Sequence, residues 1–427
     1  MCICNIRISH VCLPPHFLSL LAEHSIMSTP LFDRVELAPK DPILGITEAY
    51  VADTNPKKVN LGVGVYNDDN GKLPLLACVK AAEEEMVKAP AARGYLPIDG
   101  LAAYDNAVRD LVFGADSEIV KSKRAVTVQG LGGTGALRIG GDFLKRINPD
   151  AELWISDPSW ENHRAVFESA GFVVKTHPYY DAAAKDVNFA AMLAALKSAK
   201  AGTVVVLHAC CHNPTGNDIS PDQWTQVIEA VRANHLVPFL DMAYQGFAEG
   251  IEQDGEAVRR FAATPGPLLV SSSFSKSFSL YGERVGALSV AGKDADEAAR
   301  ILSQLKRIVR TNYSNPPTHG GKIVATVLAN QALRKVWVDE LTEMRERIKQ
   351  MRKLLVKSIH QRVPGSDFSF IERQRGMFSY SGITKPQVER LRNEYSIYLI
   401  ETGRICVAAL NTKNIDYIAD AIAEVIR

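Results

Sequence analysis

Short apolar segments alternate with helical patterns between residues 124 and 274, and most of these segments end in polar residues. They read RAVTVQ, ELWISDP, FVVKTHP, GTVVVLHAC, LVPFLDMAY and PLLVSSSF. Strands that alternate with helices typically form a mostly parallel sheet that helices cover on both faces. The sequence therefore predicts an α/β fold whose ligands bind at the carboxyl ends of the strands.

The chain is predicted to contain two domains and an N-terminal extension. Residues 295–360 carry mainly long helical patterns, and a smaller α+β domain of about 70 to 80 residues follows them. The first 26 residues hold three of the seven cysteines and an apolar stretch that is too short to span a bilayer. We expect residues 1–26 to be disordered or not native, 27–64 to join the small domain, 65–330 to form the large domain and 331–427 the small one.

Charge and cysteine usage exclude some partners. The 427 residues include 49 Lys and Arg against 48 Asp and Glu, so the net charge is +1. Such a balance creates no field that would attract nucleic acid or an anionic membrane, and we expect neither as a partner. The adjacent Cys210 and Cys211 disfavour a disulfide scaffold and favour the cytoplasm.

Lys276 lies in SSSFSKSF, and the next carboxylate along the sequence is Glu283. Two sequence patterns each suggest a known class of enzyme site and must be considered first. GLGGTG at 130–135 matches a dinucleotide-binding loop, so an oxidoreductase is one alternative, although the glycines indicate phosphate binding more generally. Ser273 to Lys276 also matches the S-x-x-K of serine acyltransferases, but the K-T-G segment that those enzymes require does not occur.

A lysine can hold an aldehyde as a Schiff base only when it is not locked as an ammonium ion. Arg284 would supply a positive charge that lowers the pKa of Lys276. The residues that could share a phosphate with Arg284 are Ser273, Ser275, Gly133 and Thr134. Lysine, phosphate and aldehyde together indicate pyridoxal phosphate as the cofactor, and no metal is expected in the site.

This cofactor requires an acid that faces its pyridinium nitrogen. Asp241 ends an apolar strand before the lysine segment and fits that role, with Tyr244 three residues further on. Asn213 in CCHNPTG could donate to the ring oxygen, and Trp160 in DPSWENH could stack on the ring. Taken singly, these residues are equally typical of a strand-end turn or of core packing.

The chain from about Met27 to its C-terminus resembles the fold-type I pyridoxal-phosphate aminotransferases of the aspartate and aromatic branch. The motifs that carry the resemblance are GYLPIDG, GGTGALR, DPSWENH, CCHNPTG, DMAYQGF, SSFSKSFSLYGERVGALS, RTNYSNPP and GRICVAAL. Three details, GYLPIDG, SLYGERVG and RGMFSYSG, look more like bacterial aromatic-amino-acid aminotransferases.

The resemblance implies a role for each matched residue. Lys276 would form the Schiff base and then move a proton, while Asp241 would pair with the ring nitrogen and have His163 behind it. Asn213 and Tyr244 would bond the ring oxygen. The remaining implied contacts are Trp160 stacking on the ring, Gly133, Thr134, Ser273, Ser275 and Arg284 around the phosphate, and Tyr95 reaching that phosphate from the second subunit of a homodimer.

The substrate would also be held by residues that the resemblance indicates. Arg404 would bind its α-carboxylate, Arg310 of the neighbouring subunit would bind a distal carboxylate, and Gly64 would lie on a mobile N-terminal segment. The expected reaction is a ping-pong transfer of an amino group between aromatic or acidic amino acids and 2-oxo acids such as 2-oxoglutarate. Two alternatives stay open beside the oxidoreductase: an aspartate aminotransferase with little aromatic activity, and a pyridoxal-phosphate protein without turnover.

Overall fold

A computed structural model describes residues 31–38 and 44–427, so the predictions for residues 1–26 lie outside the described residues. The strands are β1 (Val59–Asn60), β2 (Ala125–Leu131), β3 (Leu153–Asp157), β4 (Val174–Pro178), β5 (Tyr180–Asp181), β6 (Asp186–Val187), β7 (Val204–His208), β8 (Val237–Met242), β9 (Leu268–Ser273), β10 (Val285–Ala291), β11 (Phe378–Tyr380), β12 (Ile397–Tyr398) and β13 (Arg404–Cys406).

The helices follow the predicted alternation. They are α1 (Leu44–Ala52), α2 (Ala77–Lys88), α3 (Ala102–Phe113), α4 (Glu118–Lys121), α5 (Gly132–Ile147), α6 (Glu161–Ser169), α7 (Phe189–Ser198), α8 (Pro221–Ala233), α9 (Ile251–Asp254), α10 (Glu256–Ala262), α11 (Ala295–Asn312), α12 (His319–Ala329), α13 (Gln331–Arg362), α14 (Phe370–Arg373), α15 (Lys385–Tyr395) and α16 (Ile415–Ile426). Short 3-10 turns occur at Leu31–Arg34, Tyr281–Glu283 and Val407–Ala409.

The central sheet has the strand order β2-β10-β9-β8-β7-β3-β4. The strands from β9 to β4 pair in parallel, which confirms the predicted mostly parallel sheet. Strand β10 was not predicted, and it pairs antiparallel with both β9 and β2. Because the loop 274–284 is too short for a crossover helix, β10 must return beside β9 in the opposite direction. That loop carries Lys276, so the β9–β10 hairpin positions the lysine at the carboxyl edge of the parallel strands.

Both faces of the sheet are buried, as the prediction of helices on both sides requires. Successive residues of β7, β8 and β9 belong in turn to two separate apolar cores. One core contains Val205, Leu207, Leu240 and Val270. The other contains Val204, Val206, Phe239 and Leu269. Buried apolar strands of this kind are typical of parallel sheets. A polar side chain in the middle of such a strand would lose its hydrogen bonds to water, so polar side chains are favoured at the strand ends.

The C-terminal region forms small sheets of its own. Strand β1 pairs in parallel with β12, and β11 pairs antiparallel with β13, so the chain before Gly64 joins the C-terminal strands. Helix α13 spans both regions: Trp337 donates to the carbonyl O of Ser277 at 2.7 Å, and Arg362 forms an ion pair with Asp416 at 3.3 Å. The domain limits of 65–330 and 331–427 remain a prediction, which these pairings support. No helix in the described ranges is long and apolar enough to cross a membrane.

Candidate active site

A cavity of about 200 Å³ lies at the carboxyl ends of the parallel strands. Twelve of the residues that we singled out from the sequence line it: Gly64, Gly133, Thr134, Trp160, Asn213, Asp241, Tyr244, Ser273, Ser275, Lys276, Arg284 and Arg404. They come from both the central sheet and the C-terminal strands, so the fold brings together residues that lie far apart in sequence.

Lys276 faces this cavity from the β9–β10 loop. Its Nζ lies 5.1 Å from the centroid of the Tyr244 ring, and in the described part of the chain it makes no ion pair. Removal of water lowers the pKa of Lys276 to about 8; Asp241 opposes this shift, while Arg284 and Arg404 add to it. An amine in this environment is partly neutral near pH 8 and can therefore act as a nucleophile or as a base.

Asp241 lies at the end of β8 and is only 5% exposed. His163 Nε2–H donates to its Oδ2 at 2.9 Å, and His163 Nδ1 pairs with Ser159 Oγ at 2.9 Å. Burial acts to raise the pKa of Asp241, but the hydrogen bond and charge of His163 outweigh it and keep the pKa below its ordinary value. Asp241 is therefore an ionised, oriented carboxylate that can pair with a cationic ring nitrogen.

One end of the cavity is suited to an anion. Gly133 and Thr134 lie in the first turn of α5, where backbone N–H groups and the helix dipole favour negative charge. Arg284 Nη1 donates to Ser275 Oγ at 3.4 Å and to the carbonyl O of Tyr281 at 3.0 Å, so its guanidinium points into this end. Gly132 has a φ of 69°, in the left-handed region that favours glycine, and a Cβ there would lie 2.5 Å from Arg284 Nη2.

Arg404 also lines the cavity and is 1% exposed. It donates to Asn213 Oδ1 at 3.1 Å and to the carbonyl O of Gly62 at 2.6 Å. Its Nε is buried without a hydrogen-bond partner, and its one carboxylate neighbour among the described residues, Glu161, is 3.9 Å away. A buried guanidinium with an unused N–H group has the charge and the donor to bind a carboxylate.

Phe378 was missed by the sequence reasoning although it lines the cavity. Its ring lies 4.3 Å from Arg404 Cζ, and a Cβ at Gly64 would lie 2.6 Å from Phe378 Cζ. The buried Arg352 donates to the carbonyl O atoms of Gly376 and Phe378 at 2.5 and 2.8 Å, which fixes this strand. Phe378 lies in the segment RGMFSYSG, but that segment assigned it no role, because its place beside Arg404 depends on how the C-terminal strands meet the large domain.

His208 was also missed, although a signal for it exists. It ends β7 and lies in register with Asp241 on β8, so the rule that located Asp241 applies equally to His208. Burial lowers the pKa of His208 to about 3, so the ring is neutral. Potential ligand atoms of His163, His208 and Asp241 lie within 4.8 Å of one another. Both nitrogens of His163 already have partners, and its Nε2 orients Asp241. The expectation of a site without metal stays a prediction.

Tyr95 and Arg310 do not line the cavity of this chain. Tyr95 is 93% exposed, and the exposed Arg310 donates to Ser314 Oγ. Both were predicted to reach the site of a second subunit, and that role stays a prediction. Gly64, Trp160 and Asn213 line one cavity with Lys276 and Arg404, and their functional roles stay predictions.

Residues 56–422 match the family of class I and II aminotransferases. The chain belongs to this family. It is 58% identical over 396 residues to the aspartate aminotransferase of Pseudomonas aeruginosa, covering 93% of this chain and 100% of that one. It is 50% identical over 396 residues to the aromatic-amino-acid aminotransferase of Escherichia coli, covering 92% of this chain and all of the relative.

A solved structure extends the comparison to three dimensions. The aromatic-amino-acid aminotransferase of Burkholderia pseudomallei, covalently bound to pyridoxal phosphate, superposes with a TM-score of 0.91. It is 63% identical, and the match covers 93% of this chain and 100% of that chain. The aminotransferase described here is thus an enzyme that depends on pyridoxal phosphate, with a fold-type I architecture. The oxidoreductase alternative is not favoured.

The cavity of the aminotransferase fits this cofactor. Its anion end combines a helix N-terminus with Arg284, which suits a phosphate, and Asp241 suits a pyridinium nitrogen. Lys276 lies in the same cavity with a lowered pKa, which suits a bond to an aldehyde. Pyridoxal phosphate needs partners for its phosphate, its ring nitrogen and its aldehyde, and one cavity of about 200 Å³ offers all three.

Proposed function

We propose that the enzyme moves amino groups between aromatic or acidic amino acids and 2-oxo acids such as 2-oxoglutarate by a ping-pong mechanism. The observation that carries this proposal is the buried Arg404 guanidinium, which has an unpartnered Nε in the cavity that contains Lys276. It supplies a receptor for the carboxylate that amino acids and 2-oxo acids share. The second candidate is an aspartate aminotransferase with little aromatic activity, which the 58% identity to such an enzyme favours.

When it is bound, pyridoxal phosphate supplies an electron sink that stabilises negative charge at the substrate α-carbon. We propose that Asp241 holds the ring nitrogen, while Asn213 and Tyr244 face the ring oxygen and Trp160 covers the ring. The residues proposed to hold the phosphate are Gly133, Thr134, Ser273, Ser275 and Arg284, which line the cavity around the N-terminus of α5.

Lys276 is proposed to move the proton between the substrate α-carbon and the acceptor carbon of the cofactor. Its Nζ must be unprotonated to accept that proton, and the lowered pKa of about 8 makes this possible near neutral pH. Burial raises the pKa of Tyr244, so this neighbour stays a neutral phenol that can donate a hydrogen bond but does not compete for the proton. Lys276, Asp241 and Tyr244 are therefore the proposed catalytic residues.

Arg404 and Asn213 are proposed to orient the substrate. Two of the five guanidinium N–H groups of Arg404 are bonded to Asn213 and Gly62, so three remain to bind a carboxylate. Two of these can bind both carboxylate oxygens in parallel, which fixes the α-carbon beside Lys276. Phe378 beneath the guanidinium supplies an apolar wall that excludes water from this contact.

The side-chain end of the substrate site is proposed to require a second copy of the chain. Among cavity residues of the described chain, the apolar groups Leu137, Trp160 and Phe378 accommodate a ring, but no second arginine is free for a distal carboxylate. We propose a homodimer in which the partner's Arg310 meets that carboxylate and the partner's Tyr95 meets the phosphate. The near-complete exposure of Tyr95 supports this arrangement.

We also propose that residues 27–64 belong to the small domain 331–427, that residues 65–330 form the large cofactor-binding domain, and that Gly64 lies on a segment that closes over the substrate. The cytoplasm is the proposed location, since Cys78, Cys210, Cys211 and Cys406 are all free and buried thiols, which suits a reducing compartment.

The proposal is tested by two measurements on the purified, cofactor-loaded protein. Addition of phenylalanine, and separately of aspartate, is expected to change the visible absorption of the cofactor in a single half-reaction. With 2-oxoglutarate present, both are expected to yield their 2-oxo acids continuously. Absence of product from both amino acids would contradict the proposal, and product from aspartate alone would favour the second candidate.

A further inference from the structure

Two thiols lie side by side behind the active site. Cys210 and Cys211 follow β7 in the CCHNPTG segment, and both are buried, with exposures of 6% and 2%. Their Sγ atoms and a carboxylate oxygen of Asp254 lie within 4.8 Å of one another. Because their sulfurs lie this close, two adjacent cysteines can both bond to one thiophilic atom.

A surface cleft leads to this pair of thiols. The cleft has a volume of about 520 Å³, and Cys210, Asp254 and Trp224 contribute to its wall. Arg260 and Arg375 also line the cleft, and none of its lining residues lines the cavity that holds Lys276. A small reagent can therefore reach Cys210 without entering the active site.

Asp254 is not available as a third ligand. Its Oδ2 accepts the backbone N–H groups of Gly246 and Ala248 at 2.8 and 3.0 Å, and its Oδ1 accepts those of Glu249 and Gly250 at 2.9 and 3.4 Å. These four bonds use the lone pairs of a carboxylate. The site thus consists of two sulfurs only, which is fewer than structural zinc requires.

We propose that Cys210 and Cys211 form a two-sulfur binding site for trivalent arsenic compounds of the arsenoxide class. In the reaction the As=O bond breaks, two As–S bonds form, and both thiol protons leave with the oxygen as one water molecule. Arsenic stays trivalent, so neither an oxidant nor a reductant is needed.

The protonation of the thiols agrees with this chemistry. The neighbouring Cys211 side chain acts to lower the pKa of Cys210, but burial and nearby carboxylates outweigh it and raise the pKa to about 11. Burial also raises the pKa of Cys211. Divalent cations bind thiolates and must displace these protons, whereas condensation with an arsenoxide consumes neutral thiols and releases no net protons.

Occupation of the site is expected to reduce turnover, an effect that depends on the proposed function. The Cys211 thiol donates to the carbonyl O of Tyr244 at 3.8 Å, and Asn213 follows two residues later. A Cβ at Gly376 would lie 2.5 Å from Cys211 Cβ, so the pair has no free space on that side. An arsenic atom bonded to Cys211 would remove the hydrogen bond to Tyr244 and displace its neighbours.

The test uses the full chain with Cys2, Cys4 and Cys12 each replaced by Ser, because these cysteines could also bind arsenic. Phenylarsine oxide is added to the cofactor-loaded protein, and intact mass and transamination rate are measured on the same sample. One phenylarsenic group per chain and loss of most of the turnover are expected. A small dithiol should restore both, whereas the same concentration of a monothiol should not.

Matched variants locate the adduct. Cys210→Ala is expected to lose the adduct and keep its turnover in phenylarsine oxide, whereas Cys78→Ala, which removes a distant buried thiol, should behave like the parent. Absence of an adduct, its persistence in Cys210→Ala, or unchanged turnover at one adduct per chain would each overturn the proposal. The mass measurement does not depend on catalysis. If the untreated protein shows no turnover, the proposed function is contradicted, but formation of the adduct still tests the two-sulfur site.

Discussion

Replacement of Arg404 by lysine tests the carboxylate site most directly. Lysine keeps the positive charge but lacks the planar fork, so it cannot donate two parallel hydrogen bonds to one carboxylate. Arg404 has three N–H groups left after its bonds to Asn213 and Gly62, and we expect two of them to bind substrate. The substitution therefore removes about one charge-assisted hydrogen bond.

Such a bond is worth about 1.5–3 kcal/mol, so kcat/KM for phenylalanine should fall by about 10- to 150-fold in Arg404→Lys. The assay compares phenylalanine with 2-phenylethylamine, which has the same ring and amine but no carboxylate. Only phenylalanine should lose rate relative to the parent enzyme. The absorption of the bound cofactor and the Tm are measured in parallel, because a buried substitution can also lower stability.

An equal loss for both substrates in a folded, cofactor-loaded variant would refute the reasoning. It would mean that Arg404 maintains the shape of the cavity, through Gly62 and Asn213, and does not bind the carboxylate. An unchanged kcat/KM for phenylalanine would also refute it, because another cation would then have to serve as the receptor.

Three further predictions concern other parts of the site. Lys276→Ala should retain cofactor, as judged by absorption after gel filtration, because the phosphate contacts remain, yet lose nearly all turnover; near-normal rates would contradict its role. The cofactor-free protein should capture pyridoxal phosphate at a rate that rises roughly tenfold per pH unit, because only the neutral amine of Lys276 reacts. The rate should level off above about pH 8, the lowered pKa of Lys276. A pH-independent rate in stopped-flow absorption would contradict this. Arg310→Ala should reduce kcat/KM for aspartate far more than for phenylalanine, since only aspartate has a distal carboxylate, and an equal reduction for both would argue against the shared site.

The sequence allowed much of the site to be predicted because its chemistry occurs at strand ends. Asp241 lies at the end of one apolar strand and Asn213 follows another, and parallel strands bring their carboxyl ends to one edge, so the sequence predicts their proximity. His208 follows the same rule and was overlooked, which was an error of reasoning and not a gap in the sequence. The roles of His163, Arg404 and Arg310 came from the family resemblance, since an isolated histidine or arginine has no distinguishing local pattern.

Strand β10 and Phe378 show where local patterns are insufficient. The segment VGALSVA is apolar enough for a buried strand, yet its antiparallel place between β2 and β9 follows from the short loop that carries Lys276. Phe378 lies in a strand of three residues that Arg352 holds through backbone carbonyls. Neither the contact between Phe378 and Arg404 nor that between Phe378 and Gly64 has a local signature.

By itself, the sequence determined the fold class, the family and the chemical identity of the cofactor site, because strand periodicity, glycine loops and strand-end polar residues are local properties. Tertiary structure alone decided which charges are buried and which donors are free. The proposed receptor role of Arg404 depends on an Nε that is buried without a partner, and the proposed reactivity of Lys276 depends on burial and neighbouring arginines that lower its pKa. Burial and electrostatic fields arise from distant parts of the chain that meet only in the folded protein.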